Sequence, residues 1–282
     1  MLGEGAGSFA FPDRAAGERG AIEVFYYRPA SHDRRCPVIF LLHGSDRAAA
    51  YFRDCWTAYA DEMHALLVAP CFDNVTFPEA GAYNYGNVVH EGAEQLTARP
   101  RSEWSYGLID RLFTYVRVSM GLERNGYYLF GHSAGAQFAH RYLALTDVPL
   151  AEVVIAGNSG WYTLPDSNLS FPAGTGGVGA SPDHVGRYLS RKLVILLGDA
   201  DNDPDDPGLP RQLAAVRQGP TRLVRGLFYF EHCKALAAML GVGFGWQLSV
   251  ALGVGHKDDQ IAGPAAELLR ANERSRHMVH DR

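Results

Sequence analysis

The sequence has few cysteines, no cluster of basic residues and no long uncharged apolar run. Its four cysteines, Cys36, Cys55, Cys71 and Cys233, lack CxxC spacing, so they predict neither a zinc site nor a thioredoxin-like motif. We expect buried free thiols, and the spacing leaves a disulfide between Cys55 and Cys71 open. Every uncharged apolar run is shorter than the roughly 20 residues that span a bilayer, so we expect no membrane span.

The charge balance excludes two common classes of partner. The 282 residues carry a formal net charge of -5, from 26 basic and 31 acidic residues. Nucleic acid and anionic membrane surfaces attract positively charged patches, so we expect neither as the main partner. The first 20 residues lack a basic start followed by an apolar core, which predicts no signal peptide and a cytoplasmic location. The sequence leaves the oligomeric state open.

What the sequence does contain is a large apolar fraction arranged in short runs. Hydrophobic residues make up 47% of the chain and charged residues 20%, which suits one large core. Two segments near the N-terminus, GSFAF and AIEVFYYRPA, predict an antiparallel strand pair. The next runs are typical of strands buried on both faces: PVIFLLHG, ALLVAP, GYYLFG, EVVIAG, KLVILLGD and QLSVALG. Because helical patterns lie between them, we predict an α/β fold with a doubly wound, mostly parallel sheet, in one domain over residues 1–282.

The helical patterns and one irregular segment complete this picture. The helical patterns occupy residues 48–65, 102–121, 225–241 and 263–276. Ser102 is the expected N-cap of the second. Residues 161–187 fit neither pattern, because Pro, Gly and Ser dominate them. A loop this long in a compact domain is typically a lid or a binding wall, so we predict a loop-rich lid there.

A serine flanked by glycines separates a β-like run from an amphipathic helix. Residues 131–135 read Gly-His-Ser-Ala-Gly, which matches the G-x-S-x-G nucleophile elbow. The sharp turn of an elbow crowds the positions two before and two after the serine, and glycines fit there. The pattern predicts Ser133 as a nucleophile, with the positive end of the following helix behind it. We expect His132 to point away from the nucleophile's proton and His140 to lie within the helix.

A serine nucleophile requires a base and an acid elsewhere in the chain. His256 follows the last β-like run, in LGVGHKDD, where a loop can return its imidazole to the edge of the sheet, and we predict it as the base. The acid is expected after the strand in LVILLGDADND, where Asp201 fits best and Asp199 and Asp203 compete. The run DADNDPDD lacks the glycine and the glutamate of a calcium loop, so no metal site is expected.

Acyl transfer also needs two backbone N–H groups to hold an oxyanion. Ala134, directly after the nucleophile, is predicted to supply one of them. The turn in LLHGSDRAA is predicted to supply the other through Ser45, with Asp46 as the next candidate. Aromatic rings near strand ends are candidate substrate-binding walls, with core packing as the alternative. These candidates are Tyr83, Tyr85 and Trp161.

Together, the segments VIFLLHGS, YLFGHSAGAQFAHRYL, LLGDADND and GVGH resemble the α/β-hydrolase superfamily. The similarity extends over about residues 21–269 and is greatest to the esterase and polyhydroxyalkanoate-depolymerase-like branch. It implies a triad of Ser133, Asp201 and His256 that hydrolyses a small or oligomeric ester through an acyl-enzyme, with no cofactor. A serine peptidase or acyltransferase would use the same triad. A non-catalytic ligand-binding protein of this fold is the alternative from another class.

Overall fold

The predicted apolar runs and the N-terminal segments form the strands of one sheet in the computed structural model of the protein. The structure describes residues 2–90, 97–179 and 181–280. The strands in these ranges are β1 (Gly5–Pro12), β2 (Ala21–Arg28), β3 (Val38–Leu42), β4 (Leu66–Pro70), β5 (Tyr127–His132), β6 (Ala151–Gly157), β7 (Leu193–Gly198) and β8 (Gln247–Ala251). The α-helices there are α1 (Ala49–Asp54), α2 (Thr57–Met63), α3 (Glu79–Ala82), α4 (Tyr106–Met120), α5 (Ala134–Leu145), α6 (Pro182–Ser190), α7 (Leu213–Val216), α8 (Arg222–Leu240) and α9 (Asp258–His280). None of these described helices combines the length and the apolar composition that crossing a bilayer requires.

The strands lie in the order β1-β2-β4-β3-β5-β6-β7-β8. β2 runs antiparallel to its neighbours β1 and β4, and the pairs from β4 to β8 are parallel. This arrangement confirms the predicted N-terminal antiparallel pair and the mostly parallel sheet. Because parallel strands share one direction, the carboxyl ends of β3, β5, β6, β7 and β8 meet at one edge. Open sheets of this kind bind ligands at that edge.

Helices cover both faces of the sheet, which is the doubly wound arrangement that the sequence predicts. Val38, Phe40 and Leu42 of β3 face a core formed with α4, α5, α6 and α8. Ile39 and Leu41 face a second core under α1, α2 and α9. All five side chains are fully buried, so this run is apolar throughout instead of alternating. Burial of each such side chain contributes about 1.5–3 kcal/mol to folding.

β8 departs from this pattern because it lies at the edge of the sheet. It pairs with β7 on one side, Gln247 is exposed, and Val250 keeps 43% of its surface exposed. The prediction that this run is buried on both faces is therefore wrong. The apolar content of a run does not distinguish an edge strand from a central one.

The predicted helix over residues 48–65 is two helices. α1 and α2 meet at Cys55 and Trp56. There the Thr57 hydroxyl donates to the Asp54 carbonyl at 3.1 Å. The Trp56 N–H donates to the Arg53 carbonyl, only three residues back, so the α-helical hydrogen-bond pattern is interrupted here.

The predicted N-cap at Ser102 is wrong. Ser102 lies inside the 3-10 helix Arg101–Glu103, and α4 begins later, at Tyr106. Ser105 precedes α4, but its hydroxyl donates to the Ala82 carbonyl at 2.9 Å instead of capping the helix. The start of α4 is therefore held by a contact with the end of α3, which the local sequence does not encode.

The segment 161–187, predicted as a loop-rich lid, consists of a loop followed by the start of a helix. α6 begins at Pro182, and the Ser181 hydroxyl accepts a backbone N–H of its first turn at 3.3 Å. The loop before it is tightly folded. A Cβ on Gly176 would lie 2.5 Å from the Ser167 carbonyl oxygen, so this close approach requires glycine.

All four cysteines are free thiols. Cys36 and Cys233 are buried as predicted, whereas Cys55 and Cys71 are only partly buried. The disulfide between Cys55 and Cys71, which the spacing leaves open, is not formed.

Candidate active site

Four turns meet at the carboxyl edge of the parallel strands. They follow β3, β5, β7 and β8 and carry Ser45, Ser133, Asp201 and His256, in that order. Each residue predicted as nucleophile, acid or base thus follows a different strand. The sheet brings the side chains of Ser133 and His256 together, although they are 123 positions apart in the sequence.

Ser133 occupies a sharp turn between β5 and α5. Its backbone has φ 55° and ψ -111°, a combination that costs a non-glycine residue on the order of 1–3 kcal/mol. A Cβ on Gly131 would lie 2.1 Å from the Gly135 carbonyl oxygen, and one on Gly135 would lie 2.0 Å from the Leu42 carbonyl oxygen. Both positions therefore accept only glycine. The Ser133 N–H donates to the Gly157 carbonyl at 3.0 Å, which ties the turn to β6.

A hydrogen-bonded chain joins three of the predicted site residues. His256 Nε2 lies 3.0 Å from Ser133 Oγ, and His256 Nδ1 lies 2.7 Å from Asp201 Oδ2. The Asp201 side chain is 4% exposed and the His256 side chain 22% exposed, so the acid is shielded while the imidazole reaches solvent. An Nδ1–H that donates to the carboxylate leaves Nε2 free to accept the serine proton.

The two competing aspartates have different partners. Asp199 Oδ1 accepts the Gly253 N–H at 2.6 Å and so holds the loop that leads to His256. Asp203 Oδ1 accepts the Asp205 N–H at 2.9 Å, within its own turn. Of the three aspartates, Asp201 is the one placed on the imidazole.

Two residues that belong to none of the sequence motifs, Asn158 and Arg222, hold the hydrogen-bonded series Ser133–His256–Asp201 in place. The buried Asn158 side chain donates to the Gly255 carbonyl at 3.0 Å and accepts the Gly198 N–H at 2.7 Å. It therefore links the strand that leads to Asp201 with the loop that leads to His256. Arg222 donates to Oδ1 of Asp201 at 3.0 Å. The sequence gives no local signal for Arg222, and for Asn158 the signal is its position directly after a strand.

The turn that carries Ser45 is built on a neutral, fully buried histidine. His43 Nε2 accepts the Phe72 N–H at 3.1 Å, so Nδ1 carries the proton and donates to the Gly44 carbonyl at 2.9 Å. Burial lowers the pKa of His43 to about 4, which keeps the ring uncharged. The Tyr83 hydroxyl donates to the His43 carbonyl at 2.7 Å. Tyr83 is itself fully buried, so it lies behind the turn and not at the cavity surface.

A cavity of about 310 Å³ opens at Ser133, and Gly44, Ser45, Ser133 and His256 line it. A Cβ on Gly44 would lie only 3.9 Å from the Ser133 Cβ. Ala134 is the first residue of α5, so its N–H has no acceptor within the helix. The two residues predicted as oxyanion donors, Ser45 and Ala134, thus both lie next to the serine.

The rim of this cavity is acidic. Three carboxylates, those of Asp46, Asp258 and Asp259, line it together with one ammonium, that of Lys257. The three negative charges outnumber the one positive charge, so the electrostatic potential around Ser133 is negative.

His132, the variable residue of the elbow, forms a second histidine–aspartate pair. Its Nδ1 hydrogen-bonds to Asp258 Oδ1, and its ring centroid lies 4.7 Å from that of His256. The ring is buried, and its Nε2 has no hydrogen-bond partner in the described part of the chain. Burial lowers the pKa of His132, so we assign it as neutral with the proton on Nδ1.

The remaining two candidate wall residues enclose a buried arginine. The Arg141 guanidinium carbon lies 4.8 Å from the ring centroid of Tyr85 and 5.1 Å from that of Trp161. Trp161 and Arg141 are buried, and Tyr85 is partly exposed. Arg141 lies on α5 about two helical turns after Ser133. Both rings therefore pack along the helix that follows the nucleophile.

No model of a known protein family matches the sequence, and no curated protein matches it. Solved structures do match. Poly(aspartic acid) hydrolase-1 from Sphingomonas sp. KT-1 is 34% identical, with a TM-score of 0.89, over 95% of this chain and 99% of its own. LpqC, a poly(3-hydroxybutyrate) depolymerase from Bordetella parapertussis, is 35% identical, with a TM-score of 0.88, over 95% of this chain and 90% of its own. The chain belongs to the α/β-hydrolase superfamily.

Within the superfamily, this α/β-hydrolase groups with the esterase and depolymerase-like branch that its motifs predict. An S-formylglutathione hydrolase from Agrobacterium tumefaciens is 18% identical, with a TM-score of 0.61, over 96% of this chain and 95% of its own. At that identity the likeness shows the fold alone. The two more similar structures each cover 95% of the α/β-hydrolase chain.

Proposed function

We propose that this α/β-hydrolase is a serine hydrolase of carboxylic esters, in which Ser133 is the nucleophile, His256 the general base and Asp201 the acid that orients the base. The hydrogen-bonded chain between these residues, with contacts of 3.0 and 2.7 Å, carries the proposal. The order of the three residues along the chain is the one that the superfamily uses. Likeness to two hydrolases at 34% and 35% identity supports a hydrolytic reaction.

In the first half of the reaction, the Ser133 oxygen attacks the ester carbonyl while His256 Nε2 takes its proton. The N–H groups of Ser45 and Ala134 hold the oxyanion that forms, and each such donor stabilises the transition state by about 3 kcal/mol. Asp201 keeps the imidazole in one orientation and stabilises its charged form. His256 then gives the proton to the departing alcohol, which leaves an acyl-serine.

In the second half, a water molecule takes the place of the alcohol. His256 removes a proton from the water as its oxygen attacks the acyl carbonyl, and the same N–H groups hold the second oxyanion. Collapse of this intermediate releases the carboxylic acid and returns the proton to Ser133. These steps need no cofactor.

We further propose that the preferred substrate is an uncharged ester. Three carboxylates against one ammonium at the cavity rim repel an anionic acyl or alcohol group. Poly(3-hydroxybutyrate), named for one relative, is an uncharged polyester, whereas poly(aspartic acid), named for the other, is a polyanion joined by amide bonds. The acidic rim favours hydrolysis of an uncharged ester. Hydrolysis of an amide is the second candidate function.

We also propose that the loop-rich segment 161–187 forms a wall of the acyl site, together with Tyr85. Gly160 lies just before Trp161, and a Cβ on it would be 3.0 Å from Gln137 Nε2. Gln137 is about one helical turn after Ser133, so the segment starts close to the nucleophile. Tyr85 is the partly exposed one of the two rings that pack on Arg141, and an aromatic ring at that place suits an apolar acyl group.

Hydrolysis of matched substrates tests the proposed function. The purified protein is assayed at neutral pH with p-nitrophenyl butyrate, a soluble 3-hydroxybutyrate oligomer, a peptide amide and poly(aspartic acid), beside Ser133→Ala. We expect turnover of the neutral esters and little release from the amides. We expect Ser133→Ala to lose activity about ten-thousandfold or more, with an unchanged circular dichroism spectrum.

Each alternative gives a distinct result in the same assays. Ester turnover by Ser133→Ala at a rate near that of the unmodified protein would reject the nucleophile. Preferential cleavage of poly(aspartic acid) or a peptide amide would favour the second candidate. Acyl transfer to an added alcohol in preference to water would indicate an acyltransferase. Folded protein that a fluorophosphonate does not label at Ser133 would indicate a ligand-binding member of the fold.

A further inference from the structure

The acid of the proposed triad is held on its second oxygen by a buried arginine. Arg222 is the first residue of α8, and its side chain is 3% exposed. Its Nη1 donates to Asp201 Oδ1 and to Asp206 Oδ2, both at 3.0 Å, and its Nη2 donates to Asp206 Oδ1 at 3.3 Å. The guanidinium therefore lies between two carboxylates, and one of these also contacts His256.

The start of α8 determines where this guanidinium lies. Thr221 caps the helix by accepting the Val224 N–H at 3.3 Å, and its hydroxyl donates to Asn202 Oδ1 at 2.6 Å. The Leu223 N–H donates to the Asp201 carbonyl at 3.3 Å. Asp201 and Asn202 lie in the loop after β7, which we call the acid loop. Both are thus bonded to the first turn of the helix, through the residues on either side of Arg222.

We infer that Arg222 is a positioning residue for the proposed reaction: it fixes the orientation of Asp201 and, through its charge, sets the pH above which His256 acts as a base. This inference rests on the proposed triad. A carboxylate that accepts from the imidazole on one oxygen and from a guanidinium on the other cannot rotate without breaking a charge-assisted hydrogen bond. The orientation of the acid in turn fixes that of the imidazole.

The sign of the charge effect follows from the two side chains that flank Asp201. A cation near His256 disfavours the imidazolium, so Arg222 extends the action of the base to lower pH. The Asp206 carboxylate favours the imidazolium and opposes this effect. The hydrogen bond from Arg222 holds the pKa of Asp206 below its ordinary value, so Asp206 stays charged at neutral pH.

Other titratable and charged groups lie around the same corner and are present in every variant at residue 222 or 206. They are His132 of the elbow, Asp46, Lys257, Asp258 and Asp259 of the rim, Asp199 after β7, Tyr162 after β6 and Arg225 of α8. Burial, with the charge of Arg222 as the next cause, lowers the pKa of Arg225 to about 10, so this arginine remains a cation at neutral pH. Burial raises the pKa of Tyr162, which remains neutral.

Four variants separate this role from packing: Arg222→Gln, Arg222→Lys, Asp206→Asn and, as a matched control, Asp205→Asn. Asp205 is an exposed carboxylate next in sequence to Asp206 and lies outside the proposed catalytic machinery. For each variant, kcat and KM for p-nitrophenyl butyrate are measured from pH 5 to 9. The rate at which a fluorophosphonate labels Ser133 is measured at the same pH values.

We expect Arg222→Gln to lower kcat about 10- to 100-fold, to change KM less than about threefold, and to move the acid limb of the profile about one pH unit upward. Arg222→Lys keeps the charge, so its acid limb should lie near that of the unmodified protein. Its kcat should recover only in part, because an ammonium lacks the planar fork that reaches two carboxylates. Asp206→Asn should move the acid limb downward, and Asp205→Asn should move nothing.

An Arg222→Gln protein with reduced kcat and an unmoved acid limb would assign Arg222 to packing and overturn the inference. Shifts of the same sign in Arg222→Gln and Asp206→Asn would overturn it as well. If Arg222→Gln does not fold, Asp206→Asn and Arg222→Lys decide: an unmoved limb in the first together with full kcat in the second overturns the inference. Ester turnover by Ser133→Ala would instead reject the triad itself, whatever the Arg222 variants do.

Discussion

Two histidine–aspartate pairs lie side by side at the carboxyl edge of the sheet, and their surroundings differ. His256 contacts Asp201 and His132 contacts Asp258, each through Nδ1, with the ring centroids 4.7 Å apart. The Nε2 of His256 faces the Ser133 hydroxyl, whereas the Nε2 of His132 is buried and has no partner within the described ranges. A carboxylate partner is therefore common to both histidines. Contact with the Ser133 hydroxyl distinguishes His256, the proposed base, from His132.

Substitution of each histidine by glutamine should give the largest difference in kcat between the two pairs. His256→Gln removes the proposed base, and we expect kcat for a neutral p-nitrophenyl ester to fall about ten-thousandfold or more. His132→Gln removes a ring that packs beside the base, so we expect a loss of about tenfold or less. Circular dichroism monitors folding in both variants. Losses of equal size would contradict the division of roles and implicate both rings in proton transfer.

Substitution of each aspartate by asparagine should give the next largest difference in kcat between the two pairs. Asp201→Asn should lower kcat about a thousandfold or more, because an amide no longer holds the imidazole in the tautomer that accepts the serine proton. Asp258→Asn should cost about tenfold or less, since its partner His132 does not contact the serine. Asp199→Asn and Asp203→Asn are matched controls on the acid loop. If either control lost as much kcat as Asp201→Asn, the assignment of the acid would fail.

The buried neutral histidines should also affect stability, in a smaller and pH-dependent way. Burial lowers the pKa of His43 from 6.5 to about 4, and it lowers those of His132 and His140 as well. The unfolded chain therefore binds protons at a higher pH than the folded chain does. For His43 the stabilisation is complete above pH 6.5 and is lost as the pH falls toward 4, by about 1.4 kcal/mol per pH unit.

Thermal unfolding of His43→Gln between pH 7 and 4 measures this contribution. The variant should be less stable at pH 7, because the hydrogen bonds of His43 to Phe72 and Gly44 are lost. Its stability should then decline less steeply with acid, by about one proton's worth of slope. His90→Gln, at an exposed histidine, is the control and should keep the original slope. Identical slopes in all three proteins would show that His43 titrates normally in the fold.

The convergence of Ser133, Asp201 and His256 could be predicted because each follows a short apolar run, and parallel strands bring such ends to one edge. The requirement for glycine at positions 131 and 135 could be predicted for a steric reason. The carbonyls of Gly135 and Leu42 lie where side chains at these two positions would be. The parallel core of the sheet was predictable for the same kind of reason. A strand covered on both faces, such as β3, must be apolar throughout.

The remaining parts of the site depend on which distant segments pack together. Arg222 lies 21 positions after Asp201, and it reaches the acid because the first turn of α8 is bonded to the acid loop. Asn158 gains its role by lying between two loops that follow other strands. Tyr83 near a strand end could have faced either the cavity or the core, and tertiary packing places it in the core. These choices are made by contacts between distant segments and leave no local pattern.

Ser133 and His256 follow strands that differ in burial and in position within the sheet. β5, which ends at Ser133, is buried along its whole length and lies among the central strands, whereas β8, which leads to His256, is outermost and partly exposed. Outer strands separate from a sheet at a lower free energy than inner ones. Moderate heating should therefore displace His256 while Ser133 is still in place. The protein should lose its hydrolytic activity at a lower temperature than the one at which the whole domain unfolds.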